Sequence, residues 1–330
     1  MKFAFVGTPG FGAWVLSDLV DCGRAPALVI SQISRAAGRG KKPRPPEVVT
    51  AANAMDLPVL QAQDINDEQV AYRLRDSGVD TLVVAAFGQI LGPDLLDRLL
   101  CVNVHPSLLP NYRGASPIVR ALMDGAPETG VCVMRMTSEL DEGPVSHCRR
   151  LPLEGWEDAG AVERALALLG AQAVGEVLRE TEGGGPEWRS QDGQPSYAEK
   201  IHGEERWLDF ADSARRVHNK VRALSPSPGA RARLGDIDVT VWRTRAVGID
   251  EFSEIGRAGG VVGGVAGGVA GDEGTWTASR TRLLVGCGEG ALDVLQIQPS
   301  GKKVMGAADF LRGYGNRLGL NMRSKGSDGE

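Results

Sequence analysis

The chain has 330 residues, 42% of them apolar, enough to build two domains around sizeable cores. Its formal net charge of −5 excludes a uniformly basic nucleic-acid binder, so contact with a polyanion has to come from local patches. Five scattered cysteines form no C-x-x-C pair, which reads as thiols in a reducing compartment; no metal is expected.

In chain order, Lys2–Val6 is predicted as a strand, Gly12–Cys22 as a helix and Ala27–Ile33 as a strand. Asp67–Asp76 follows as a helix, Thr81–Ala86 as a strand, Pro93–Leu100 as a short helix and Cys101–His105 as a strand. Ile118–Met123 is helical, Gly130–Met136 a strand, and Ala159–Glu180 a long amphipathic helix. Alternating strands and helices with unbroken apolar strands predict a parallel or mixed sheet covered on both faces, an open α/β sheet of Rossmann-like kind. Gly183–Pro195 is rich in Gly and Pro and reads as a linker. A helix at Ser213–Ala223 then leads into short strands at Ala230–Leu234, Val239–Ala246, Leu283–Gly286 and Leu292–Gln298, the pattern of a small β-barrel or sandwich. The run 259–271 (GGVVGGVAGGVAG) is low in complexity and reads as a loop. The expected division is 1–182 as the first domain, 183–203 as linker, 204–318 as the second domain and 319–330 as a polar tail. No apolar run approaches the roughly 18 residues of a membrane span, and the strand-like start has no basic leader, so a cytoplasmic protein without membrane contact is expected.

The most informative stretch is Asn103–Pro117 (NVHPSLLPNYRGASP). Asn103 and His105 are two residues apart, so on a strand they share a face, with Val102 and Val104 on the other. Pro106 keeps His105 extended. An amide and an imidazole fixed at a strand's C-terminal end suit stabilisation of a developing oxyanion. A buried histidine satisfied by backbone is the plainer alternative. Asp141, in LDEGP, is in isolation a turn residue. Ser107 lacks the G-x-S-x-G elbow of a serine hydrolase. Gly7–Gly12 (GTPGFG) follows the first strand, but its spacing departs from G-x-G-x-x-G and Pro9 removes an amide, so a plain strand–helix turn is the better reading. Ser34–Pro46 carries Arg35, Arg39, Lys41, Lys42 and Arg44 with no acid between them: a solvated loop or a phosphate clamp. Lys302 and Lys303 close a late strand.

With these residues laid out, NVHPSLLP followed by Tyr112-Arg113-Gly114, and LDEGP downstream, resemble the signature of the 10-formyltetrahydrofolate-dependent formyltransferases. The resemblance spans roughly 1–318 and includes GTP at the first turn, GRGKK in the basic loop, FGQIL at 87–91 and QPSGKK at 298–303. It implies catalytic roles for Asn103, His105 and Asp141. It implies folate contacts at Ser107, Leu108, Leu109 and Pro110, and at Phe87, Gly88, Gln89, Ile90 and Leu91. It also implies 10-formyltetrahydrofolate as donor, with no metal. The basic loop and second domain point to a member acting on methionyl-initiator-tRNA, through an OB-like barrel and Arg35, Arg39, Lys41, Lys42, Arg44, Lys302 and Lys303, as a monomer. Three readings compete. A family member with a small amine acceptor, such as glycinamide ribonucleotide or an amino sugar nucleotide, keeps the same catalytic residues. A nicotinamide oxidoreductase rests only on the opening glycines. A non-catalytic RNA-binding protein leaves Asn103, His105 and Asp141 without a role.

Overall fold

The computed structural model describes residues 1–37, 42–257, 261–264 and 275–318. By its internal contacts the chain divides into two units. The first comprises Met1–Ile118, Glu128–Pro152 and Ala161–Lys200; the second comprises Val119–Pro127, Leu153–Gly160 and the chain from Ile201 onward.

The elements run β1 (Phe3–Gly7), α1 (Gly10–Asp21), β2 (Leu28–Gln32), β3 (Arg35–Ala37), β4 (Lys42–Arg44), α2 (Glu47–Ala54), β5 (Val59–Ala62) and α3 (Glu68–Asp76). After them come β6 (Thr81–Ala85), α4 (Pro93–Arg98), β7 (Leu100–His105), α5 (Pro117–Met123), β8 (Glu128–Arg135), β9 (Val145–Pro152) and α6 (Ala159–Glu182). Seven strands form one sheet in the order β5-β2-β1-β6-β7-β8-β9. From β5 to β7 neighbours are parallel; β8 and β9 are antiparallel. The sheet is therefore the open α/β sheet expected, with two antiparallel strands added at one side. Strand order reverses between β1 and β6, the switch point beside which such sheets hold ligands.

Local chemistry explains the elements. β1, β2, β6 and most of β7 are buried because the sheet is covered on both faces, so they read as continuous apolar runs. The Asp67 side chain accepts from the Gln69 amide to cap α3, and Arg73 and Arg75 fall in its last turn, where cations suit the helix dipole. Gly12 lets α1 approach the end of β6, since a Cβ there would stand 2.6 Å from the Ala85 carbonyl oxygen. The opening glycines thus serve packing, in keeping with the plain-turn reading.

In the second unit, helix α7 (Ala214–Ala223) precedes β10 (Ala230–Leu234), β11 (Ile237–Val247), α8 (Ile249–Arg257), β12 (Val261–Gly264), β13 (Thr275–Ala278), β14 (Leu283–Gly286), β15 (Ala291–Pro299), β16 (Met305–Gly306) and α9 (Ala307–Tyr314). The strands make one antiparallel sheet, β10-β11-β15-β14-β13-β12, with β16 paired to β15. Its alternating inward residues (Ala230, Ala232, Leu234; Val239, Val241) pack against Val217 and Val221 of α7 and Phe310 and Leu311 of α9. Parts of the glycine-rich run 259–271 lie outside the described residues, as does the tail from 319 onward. Within that run, Val261–Gly264 pairs with β13 as a strand where a loop is expected.

The cysteine reading is corrected. Cys132 and Cys148 are joined by a disulfide, because β8 and β9 pair them directly opposite each other with Cα atoms 4.1 Å apart. Sequence reading missed it because β9 (VSHCRRLP) has consecutive polar pairs, Ser-His and Arg-Arg, in place of strand alternation and does not read as a strand.

Candidate active site

Asn103 and His105 end β7 side by side on one face, next to the switch point. Parallel pairing sets Asn103 beside Val84, and antiparallel pairing sets His105 beside Cys132. Their partners differ. His105 is buried, and its Nε2–H donates to the Tyr112 carbonyl at 3.0 Å. A carbonyl can only accept, so Nε2 carries the proton and Nδ1 faces the carboxylate of Asp141, 3.7 Å away at Oδ2. Asn103 is half-buried, and among the described residues its side-chain amide has no hydrogen-bond partner.

Asp141 belongs to the turn between β8 and β9, and three features fix it. Its φ is +55°, a conformation disfavoured without glycine. The Gly114 amide donates to its Oδ2 at 2.8 Å. Gly143 lies so close to β8 that a Cβ would sit 1.8 Å from the Arg135 carbonyl oxygen, and the Arg135 amide donates to the Pro144 carbonyl at 2.9 Å. The three proposed catalytic residues are thereby brought together: His105 and Asp141 touch, and Asn103 lies one strand-repeat away.

The segment 183–203, expected as a linker, is tied to these loops. Arg189 exchanges backbone hydrogen bonds with Val145 at 2.8 and 2.9 Å. The Ser196 hydroxyl accepts from the Tyr112 amide at 2.9 Å, and the Ala198 amide donates to the Arg113 carbonyl at 2.7 Å. Between these anchors, Gln191 bonds to Arg113 and to the Asp141 turn. The sequence reading missed all of these contacts; their partners lie far off in the chain, and only a Gly/Pro composition marked the segment.

The residues assigned to folate contact fall into two groups. Ser107 is fully buried, and its hydroxyl donates to the Asn111 carbonyl at 2.5 Å, so it shapes the turn after His105. Leu108 and Leu109 are half-buried and Pro110 is buried; the Leu108 side chain lies over Gly130. In the loop after β6, Ala86 and Gly88 have φ of +50° and +79°. The Phe87 carbonyl accepts from Gln32 Nε2 at 2.6 Å. Gln89 spans to the loop before α3, accepting from the Ile65 amide and donating to the Gln63 carbonyl, both at 2.9 Å. Phe87 and Leu91 are buried, while Ile90 is 79% exposed.

Of the proposed tRNA contacts, Arg39 and Lys41 lie outside the described residues, as do the side chains of Arg35 and Lys42. The backbone flanking them is a two-stranded ribbon in which Arg35 pairs with Arg44. Arg44, Lys302 and Lys303 are exposed.

A formyl transferase family model matches residues 1–178, and a formyl transferase C-terminal domain model matches residues 200–315. A methionyl-tRNA formyltransferase of Methylobacterium sp. (strain 4-46) is 40% identical over 316 residues, 95% of this chain and 96% of that protein. One from Thermotoga maritima is 35% identical over 308 residues, covering 92% and 93% respectively. Among solved structures, HypX from Aquifex aeolicus in complex with tetrahydrofolic acid shares the fold at a TM-score of 0.60 and 17% identity, over 94% of this chain and 47% of that one. The sugar 3N-formyl transferase WlaRD does so at 0.61 and 15%, over 92% of this chain and 99% of its own. Two family models spanning both units, and relatives of this identity along nearly the whole chain, place it: the chain belongs to the formyl transferase family.

Proposed function

We propose that this chain transfers the formyl group of 10-formyltetrahydrofolate to the α-amine of methionyl-initiator-tRNA. The observation that carries the reading is the pairing of an Asn103 amide that has no partner among the described residues with a His105 ring braced by Tyr112 and Asp141, in a chain 40% identical to a methionyl-tRNA formyltransferase. Such an amide at a strand's end fits a carbonyl donor, because a half-buried N–H pair without an acceptor among the described residues is available to an incoming oxygen.

The donor supplies an activated formyl group. In the transfer, the amine nitrogen forms a bond to the formyl carbon, and the bond from that carbon to the folate nitrogen breaks. The amine loses one proton, and the departing nitrogen gains one. Negative charge develops on the formyl oxygen as the amine adds. Asn103 donates an N–H to that oxygen. His105, with both ring nitrogens protonated, would present an N–H toward Asp141 at Nδ1. Asp141 orients the ring and receives or relays the amine proton. No side chain has to form a covalent bond to the formyl group.

In this reading residues 1–182 carry catalysis, and 204–318, read as an OB-like domain, contact tRNA. The exposed cations Arg44, Lys302 and Lys303, with Arg35, Arg39, Lys41 and Lys42, track the phosphates. The reading takes the protein as a monomer. Among the described residues no helix is long and apolar enough to cross a membrane, and a role in translation initiation would set the protein in the cytoplasm.

The test is formyl transfer from 10-formyltetrahydrofolate to methionyl-initiator-tRNA, uncharged tRNA, free methionine and glycinamide ribonucleotide. Transfer confined to the charged tRNA upholds the reading. Transfer to the ribonucleotide alone keeps the catalytic residues and replaces the acceptor.

A further inference from the structure

Gln191 uses every hydrogen-bonding position of its side-chain amide on two elements of the active site. Its Oε1 accepts from Arg113 Nε at 3.1 Å and Nη2 at 2.8 Å. Its Nε2 donates to the carbonyls of Asp141 and Gly143, both at 2.8 Å. The amide can be oriented only one way. Guanidinium nitrogens only donate and carbonyls only accept, so the reversed amide would set N–H against N–H and oxygen against oxygen.

Arg113 extends the same grip. It is 8% exposed, and its Nη1 pairs with Glu142 Oε1 at 2.8 Å. Residues 141, 142 and 143 are therefore each held, two by Gln191 and one by Arg113. The conformation so held is the costly one: Asp141 at φ +55°, which persists in a non-glycine residue only when its surroundings over-determine it. Gln191 is itself fixed in the chain between the backbone pairs of Arg189 with Val145 and of Ser196 and Ala198 with Arg113.

We propose that Gln191 is a positioning residue for Asp141. It holds the Asp141 turn so that Oδ2 stands toward both His105 Nδ1 and the Gly114 amide. What Asp141 then does rests on the function proposed above; how it is held does not.

The test uses Gln191→Glu. The carboxylate keeps acceptors for Arg113 but turns an oxygen toward the two carbonyls that Nε2 now serves. A residue serving only to anchor Arg113 and its own segment would tolerate the change; a residue acting through Asp141 would not. Two readouts are taken. The first is kcat against KM for formyl transfer to methionyl-initiator-tRNA. The second is the amide signal and hydrogen exchange of Gly114 in glycine-labelled protein, which reports the Oδ2 contact without turnover. The expected result is a kcat lower by about tenfold to a hundredfold, the cost of a misplaced group near the chemistry, with KM within about twofold. The Gly114 amide shifts and exchanges faster. In an Asp141→Asn background, Gln191→Glu costs little more, because the two act through one contact. Wild-type kcat together with an unmoved Gly114 amide would overturn the proposal, as would losses that multiply in the double variant. If Gln191→Glu does not fold, Gln191→Ala is judged by the same two readouts. If the unaltered protein transfers no formyl group to methionyl-initiator-tRNA, the acceptor assignment fails, while the Gly114 amide still decides the role of Gln191.

Discussion

His105 Nδ1 and Asp141 Oδ2 stand 3.7 Å apart, although 36 positions separate the two residues in the chain and they sit on different elements: the end of a parallel strand and an antiparallel turn. The Tyr112 carbonyl takes the other ring nitrogen, so the imidazole cannot rotate without losing a partner on each side. Asn103 needs no such bracing, because its strand fixes its direction.

That arrangement predicts unequal roles. Asn103→Ala should lower the single-turnover rate about 10²–10³-fold, the usual loss on removing one oxyanion donor, and His105→Ala about 10²–10⁴-fold, the usual share of positioned proton transfer, because it removes the ring that Asp141 works with; folate binding is kept in both. Stopped-flow transfer and equilibrium folate titration measure the two separately. Rates near those of the unaltered protein in either variant would refute the assignment.

The Asp141 turn is predicted to be intolerant at Gly143 and the first helix tolerant at Gly10. A methyl group at Gly143 meets the Arg135 carbonyl at 1.8 Å, whereas at Gly10 nothing lies within 4 Å. Gly143→Ala should cost about 1–3 kcal/mol of stability, as over-packing does, and most of the activity. Gly10→Ala should leave both within about 0.5 kcal/mol, the range of neutral surface changes. Urea unfolding of the two variants side by side checks this.

In the second unit, His218 predicts an acid-side loss of stability. Burial, chiefly, holds its imidazole below the ordinary 6.5; the Gly155 carbonyl on Nε2 opposes this, and the charges of Arg222 and Arg215 add to it. Thr244 Oγ1 is 2.9 Å from Nδ1. Well above 6.5 the ring is neutral both folded and unfolded, and nothing is lost. As pH falls through 6.5, the unfolded chain takes up a proton that the folded ring refuses, so stability declines until the lowered folded value is reached. The drop in Tm from about pH 7.5 to about pH 5.5, which brackets the free imidazole value, should be smaller in His218→Gln. Equal drops would remove His218 as its source.

Cysteine chemistry should sort the five thiol positions. Cys22 is exposed, while Cys101 and Cys287 are buried, and burial pushes each of those two thiols up to about 12. Alkylation of the native protein without reductant should modify Cys22 alone. Unfolding should add Cys101 and Cys287, and reduction should add Cys132 and Cys148. Alkylation of Cys132 or Cys148 before reduction would show the bridge to be open. Peptide mass analysis distinguishes these outcomes.

Much of the first unit was legible because its strands are buried on both faces and its helices are periodic. The placement of Asn103 and His105 followed from two-residue spacing on such a strand. What stayed hidden has a common cause: the signal was not local. β9 has no apolar–polar alternation in its sequence, with His147, Arg149 and Leu151 half-buried between the exposed Cys148, Arg150 and Pro152, and it sits at the sheet edge. β5 is four residues at the other edge, three of them half-buried and Gln61 exposed. β12 is built from Val-Val-Gly-Gly, a composition that argues for a loop until β13 is present to pair with it. Gln191 has no motif at all; its importance lies in four bonds to residues 48 to 78 positions away.

The disulfide reaches further than its own two strands. His105, Cys132 and Cys148 follow one another across β7, β8 and β9 in register, and β9 begins at Val145, the residue that pairs with Arg189. An edge strand with one free side is ordinarily the first part of a sheet to fray. Here fraying would carry away the backbone rung at Arg189 and, with it, the support under Gln191. The bridge stitches the hem of the sheet beside the reacting centre, so the opening that would slacken the Asp141 turn is pushed toward the free energy of unfolding the whole unit. Reduced protein should therefore exchange its β9 and 189–198 amides by local opening, while oxidised protein should exchange them only with the core.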